Sequence, residues 1–130
     1  MLNNCICGSG KAFSECCEPL LSGKMPAKTP EQLMRSRYSA YAFGGYGDYL
    51  LKTWFAPMAK GLTAQALSEK AQQWVSLEVV DSGVADQQGW VEFKATYLED
   101  SKQRVMHEKS VFTLSGDCWL YIGGEVTTDR

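Results

Sequence analysis

The chain has 130 residues, is 45% hydrophobic and 22% charged, and carries a net charge of −2. That is one domain with room for a small appendage, neither disordered nor collagen-like, with enough chain to bury a core without disulfides. No apolar run reaches the roughly 18 residues of a spanning helix, and the near-neutral charge argues against duplex nucleic acid as a partner.

The first predicted element is a cysteine cluster: Cys5, Cys7, Cys16 and Cys17, with Cys118 far away. The start, Met1-Leu2-Asn3-Asn4, has neither the basic nor the apolar region of a secretory leader. A cytoplasmic location is therefore expected, where thiols stay reduced and clustered Cys bind metal rather than pair. Four thiolates on one ion form the closed tetrahedral site of structural Zn²⁺, with free or redox thiols and another soft metal as the alternatives. Gly8-Ser9-Gly10 lets the backbone curl so that its N–H groups face the sulfurs, and Lys11 adds positive charge. With four protein ligands no position is left for water, so a hydrolytic role is disfavoured. Without metal, residues 3–20 should lose order while the remainder stays folded.

The string Cys5-Ile6-Cys7-Gly8-Ser9-Gly10-Lys11-Ala12-Phe13-Ser14-Glu15-Cys16-Cys17 resembles the SEC-C motif, the zinc-binding tail of the SecA translocation ATPase. The resemblance implies the same four zinc ligands, and in SecA the motif serves protein and lipid contacts. On the reading of the residues themselves, the knuckle would display Phe13 and Lys11 to a protein partner.

Residues 18–30 form a linker rich in Pro and Gly. Thr29, Pro30 and Gln32 then give an N-cap, a first helical position and a capping box, and Gly44-Gly45 closes the helix. Leu33, Met34, Tyr38, Tyr41 and Ala42 recur at helical spacing. A second helix is predicted over Gly47 to Phe55 and a third after Thr63, carrying Ala64, Leu67 and Ala71. From Trp74 the period becomes two. Val75, Leu77 and Val79 share a face, as do Val91, Phe93, Ala95 and Tyr97, then Glu108, Ser110 and Phe112, and on the last strand Cys118, Leu120 and Ile122 opposite Trp119 and Tyr121. Turns are expected at Asp81-Ser82-Gly83, Asp86 to Gly89, Asp100-Ser101-Lys102 and Ser115-Gly116-Asp117. Helices first and strands afterwards indicate an α+β fold with a curved antiparallel meander packed on the helices.

This order resembles the cone-shaped nuclear transport factor two-like superfamily. The finer likeness is to the YchJ family, carried by Leu33 to Ala42, Asp48-Tyr49-Leu50, Thr53-Trp54, Glu108 to Phe112 and Trp119-Leu120-Tyr121 together with the knuckle. It implies a SEC-C-like motif over residues 1–20 and an α+β cone domain over 21–130. Many members of that family carry a second SEC-C motif after the sheet, whereas Gly123 to Arg130 contains no Cys.

Candidate site residues outside the cluster are fewer. Arg35 and Arg37 lie about 200° apart on their helix, so one is expected to point inward, paired with Glu108 or Asp48. Arg37, Tyr38, Tyr41, Trp54 and Glu108 are the candidates for a mainly apolar pocket that could hold a small molecule. His107 faces away from Glu108 and reads as a solvated strand residue, and Cys118 as a small buried hydrophobe. No phosphate loop, nucleophile elbow or second histidine is present, so the pattern specifies no reaction. The reading is of a zinc-binding accessory protein that docks a protein partner through its knuckle. A small-molecule binder or enzyme using the cone pocket is the alternative.

Overall fold

The computed structural model describes residues 4–69 and 72–128. A short 3-10 turn at Phe13–Glu15 leads into α1 (Glu18–Leu21), α2 (Pro30–Phe43), α3 (Gly47–Lys52), a second 3-10 turn at Ala56–Met58 and α4 (Ala64–Leu67). Four strands follow: β1 (Gln73–Ala85), β2 (Gln88–Glu99), β3 (Lys102–Ser115) and β4 (Cys118–Thr128). They form one antiparallel sheet in chain order. Ala71, expected on the third helix, lies outside the described residues.

α2 begins where the capping residues place it. Thr29 Oγ1 accepts from the Gln32 N–H at 3.1 Å, and the Gln32 side chain reaches back to the N–H of Lys28 rather than that of the cap itself. The helix lies across β1, β2 and β4. Its buried residues join Leu77, Val91, Phe93, Ala95, Phe112 and Trp119 in one apolar cluster that also contains Cys5, Cys7, Cys17 and Leu20.

Three expectations need correction. α3 stops at Lys52, short of Phe55, because the chain turns to pair with β4: Tyr121 N–H donates to Thr53 O at 2.8 Å and Phe55 N–H to Tyr121 O at 2.7 Å. Asp81-Ser82-Gly83 is not a turn. β1 runs through it to Ala85, with Gly83 paired to Trp90. Val75 leaves the face of Leu77 because β1 bulges there, Trp74 pairing with Tyr97 and Ser76 with Thr96. A second bulge sets Val80 aside, and both valines stay exposed.

Candidate metal centre and adjoining cavity

The knuckle is built by short backbone contacts. Cys5 N–H donates to Lys11 O at 2.7 Å and Gly8 N–H to Cys5 O at 3.1 Å, which folds the first Cys pair into a tight loop. Gly8 has φ +81°, and a Cβ there would press on the Leu77 carbonyl oxygen at 3.0 Å, so only glycine lets this loop sit against β1. The turn at Phe13–Glu15 and the start of α1 bring up Cys16 and Cys17.

The four sulfurs lie within 4.8 Å of one another, Cys7 and Cys16 at 3.5 Å and Cys16 and Cys17 at 4.0 Å. A tetrahedron with metal–sulfur bonds of about 2.3 Å has edges of about 3.8 Å, so four thiolates here fit a single soft or borderline divalent ion with little movement. All four cysteines are free thiols. The Cys17 thiol donating to Cys7 holds the Cys7 pKa down to about 4, against the burial that raises it, and Ser9 assists. Burial pushes Cys16 up to about 11, and Cys17 rises chiefly because it gives its hydrogen to Cys7.

α2 supplies the outer layer of this centre. Arg35 Nη1 donates to the Cys7 carbonyl at 2.7 Å and lies 4.0 Å from the Cys7 sulfur, while its Nε pairs with Glu31 at 3.0 Å. Ser39 Oγ donates to the Cys17 sulfur at 3.3 Å and sits 3.9 Å from that of Cys5. Neither role is signalled by the sequence, and Lys11, expected to add positive charge here, is exposed.

A neighbouring stripe of α2 faces a cavity of about 240 Å³ beneath the sheet. All five pocket candidates, Arg37, Tyr38, Tyr41, Trp54 and Glu108, line it. Arg37 is 5% exposed, but it pairs with neither Glu108 nor Asp48. Its Nη1 donates instead to Leu50 O and Thr53 Oγ1, each at 2.7 Å, and the guanidinium lies 4.8 Å from the Trp54 ring centroid and 4.7 Å from that of Tyr121. The expected inward ion pair is thereby replaced by neutral acceptors and aromatic faces. Burial, acting on a guanidinium held this way, lowers the Arg37 pKa.

Glu108 accepts from Tyr121 OH at 3.0 Å and from the Ser110 hydroxyl. Burial, then the neighbouring carboxylate, raises the Tyr121 pKa. His107 stands on the other face, as expected, and bonds Glu92 at 2.7 Å through Nε2. Cys118 is exposed rather than buried, because the larger Trp119 takes the inward position beside it. No helix among the described residues is long and apolar enough to cross a membrane.

Comparison with known proteins agrees with this architecture. The family model described as "YchJ, middle NTF2-like domain" matches residues 29–124, and the SEC-C motif matches residues 3–19. A UPF0225 protein of Geobacter sulfurreducens is 40% identical over 95% of this chain and 80% of its own length. One from Vibrio parahaemolyticus is 35% identical over 95% and 75%. The solution structure of a SEC-C motif-containing protein from Rhodopseudomonas palustris matches with a TM-score of 0.86 and 33% identity, covering 96% of this chain and 98% of that one. The crystal structure of another, from Psychrobacter arcticus, gives 0.80 and 26%, covering 97% and 84%. A knuckle of four cysteines, joined through α2 to a curved four-stranded sheet, places the chain in the YchJ (UPF0225) family, with an N-terminal SEC-C motif and an NTF2-like fold.

Proposed function

We propose that this protein is a zinc-braced small-molecule binding protein. In this reading Cys5, Cys7, Cys16 and Cys17 hold one structural Zn²⁺, which fixes the N-terminal segment against α2, and the cavity lined by a neighbouring stripe of α2 receives the ligand. Residues 1–20 and 21–130 then act as one unit, since Cys5, Cys7 and Cys17 share a core with α2 and the sheet. A cytoplasmic home suits a cluster that needs reduced thiols. The observation that carries the binding role is Arg37: a buried cation, lining the cavity, with no carboxylate in contact among the described residues.

Native mass spectrometry of protein purified from its own host tests both parts. It should show one zinc per chain and a retained small adduct. Absence of stoichiometric zinc removes the metal assignment. Absence of any adduct, together with a blank thermal-shift screen, removes the binding role.

Docking of a protein partner through the knuckle is the second reading. Phe13 packs edge-on against Phe43 at 5.5 Å, and Phe43 is 46% exposed, which gives the knuckle an aromatic rim. Cys7→Ser and Phe43→Ser should then both abolish partner capture. Capture that survives complete zinc removal would overturn this reading.

A further inference from the structure

Most of the unpaired polar groups around the cavity beneath α2 are donors. Among the described residues, Arg37 Nη2, Trp54 Nε1 and the Tyr38 hydroxyl are buried without a hydrogen-bond partner, and all three residues line the cavity. The guanidinium and indole nitrogens can only donate, and a phenol donates readily. Among the described lining residues the one carboxylate is Glu108, which accepts from Tyr121 and Ser110 through a single oxygen, Oε2, and keeps Oε1 free. Unpaired donors therefore outnumber unpaired carboxylate oxygens by three to one.

The remaining wall is apolar, formed chiefly by Met34, Trp74, Phe93, Met106 and Phe112. A cavity of about 240 Å³ falls below the roughly 300–1,000 Å³ of sites for drug-sized ligands, so the occupant is small. We infer that the cavity binds a small apolar carboxylic acid, its carboxylate accepting from Arg37 and Trp54 and its hydrocarbon or aromatic body laid against the methionines and Phe93. This inference rests on the small-molecule reading above and names the class of ligand.

An anion fits better than a neutral acceptor because the partners of Arg37 are all neutral. A guanidinium with one nitrogen bound and the other free presents a planar donor suited to a carboxylate oxygen. An ammonium group would meet the same buried cation, leave the three unpaired donors unserved and find only Glu108 Oε1 to donate to. The unpaired donors are covered in the unliganded arrangement, so the acid engages them through side-chain rotation, a common adjustment on binding.

The test is calorimetric titration of the full zinc-loaded chain with three probes that share one body: 3-phenylpropionate, 3-phenylpropanol and 3-phenylpropylamine. The acid should bind tighter than the alcohol by on the order of tenfold, the worth of one charge-assisted hydrogen bond, and the amine should not bind. Trp54→Phe, which keeps an aromatic ring and removes the donor, should cost the acid several-fold. Glu108→Gln should strengthen acid binding by lifting repulsion while leaving an acceptor for Tyr121 and Ser110. Alcohol or amine binding as tightly as the acid overturns the carboxylate assignment and leaves the small-molecule reading standing. Silence from all three probes also overturns it, and a blank native mass spectrum would then remove the broader reading as well.

Discussion

Arg35 reaches from the middle of α2 to the carbonyl oxygen of Cys7, 28 positions earlier in the chain, with a bond of 2.7 Å. This contact ties the cysteine cluster to α2. Glu31, Arg35 and Ser39 follow one another at four-residue intervals, so they share one stripe of the helix. Met34, Arg37, Tyr38 and Tyr41 follow the i, i+3, i+4, i+7 pattern on another stripe and line the cavity. One helix thus carries the outer layer of the sulfur cluster on one stripe and a wall of the cavity on the next.

Replacing Arg35 should therefore weaken the metal site without emptying the cavity. A Zn²⁺ bound by four thiolates carries excess negative charge, which Arg35 beside Cys7 and the Ser39 hydroxyl beside Cys17 offset. Arg35→Gln or Ser39→Ala is expected to raise the zinc dissociation constant by about 10–100-fold, the range typical of outer-shell partners. Competition with a chromophoric chelator measures it. Affinity equal to that of the unaltered chain would show that neither residue supports the site.

Chelation should reach beyond the knuckle. Sequence reasoning expects residues 3–20 to lose order alone, but Cys5, Cys7, Cys17 and Leu20 sit in the same buried cluster as Leu33, Met34, Tyr38 and Phe112. With free zinc near 1,000 times its dissociation constant, the linked stabilisation is about 4 kcal/mol, so Tm should fall by on the order of 10–20 °C on metal removal. The fall should appear in the sheet signal by circular dichroism as one transition. An unchanged sheet transition in chelator would restore the view of two independent parts.

Much of the architecture is legible because local chemistry and tertiary structure agree. Thr29-Pro30 and Gly44 bound α2 as their capping and φ preferences require, and the four clustered cysteines converge as their spacing suggests. The misreadings have tertiary causes. Asp81-Ser82-Gly83 has the composition of a turn, yet Gly83 is small because the Trp90 indole of the paired strand lies across it. Cys118 and Trp119 alternate as expected, but period alone does not say which face is inward, and the bulkier Trp119 takes it. Arg37 avoids an ion pair because Leu50 O and Thr53 Oγ1 are nearer partners once α3 has packed. Arg35 and Ser39 carry no local signal of their role, since their targets lie outside the helix.

Gly47 makes a second packing constraint visible. It opens α3, and a Cβ at this position would penetrate the carbonyl oxygen of Ala64 and crowd the Ser68 hydroxyl, which accepts from the Gly47 N–H at 2.8 Å. Gly47→Ala should force α3 and α4 apart at a cost of about 1–3 kcal/mol, as overpacking does elsewhere. Urea denaturation reads the loss as a lower midpoint. Gly61→Ala is the control: it has open space but a φ of +85°, so any cost there comes from the backbone alone.

Glu108 separates the contribution of an acceptor from that of a charge. Its side chain is 8% exposed and receives the hydroxyls of Tyr121 and Ser110. Glu108→Ala leaves both donors unpaired in a buried site and should cost about 1–3 kcal/mol, whereas Glu108→Gln keeps an amide oxygen for them and should cost less. The ordering of the two variants in chemical denaturation is the decisive measurement. Equal losses would mean that the carboxylate's charge, through its field on the buried Arg37, matters more than the bonds it accepts. In that case raising the salt should leave both values unchanged, because neither Arg37 nor Glu108 is open to screening ions.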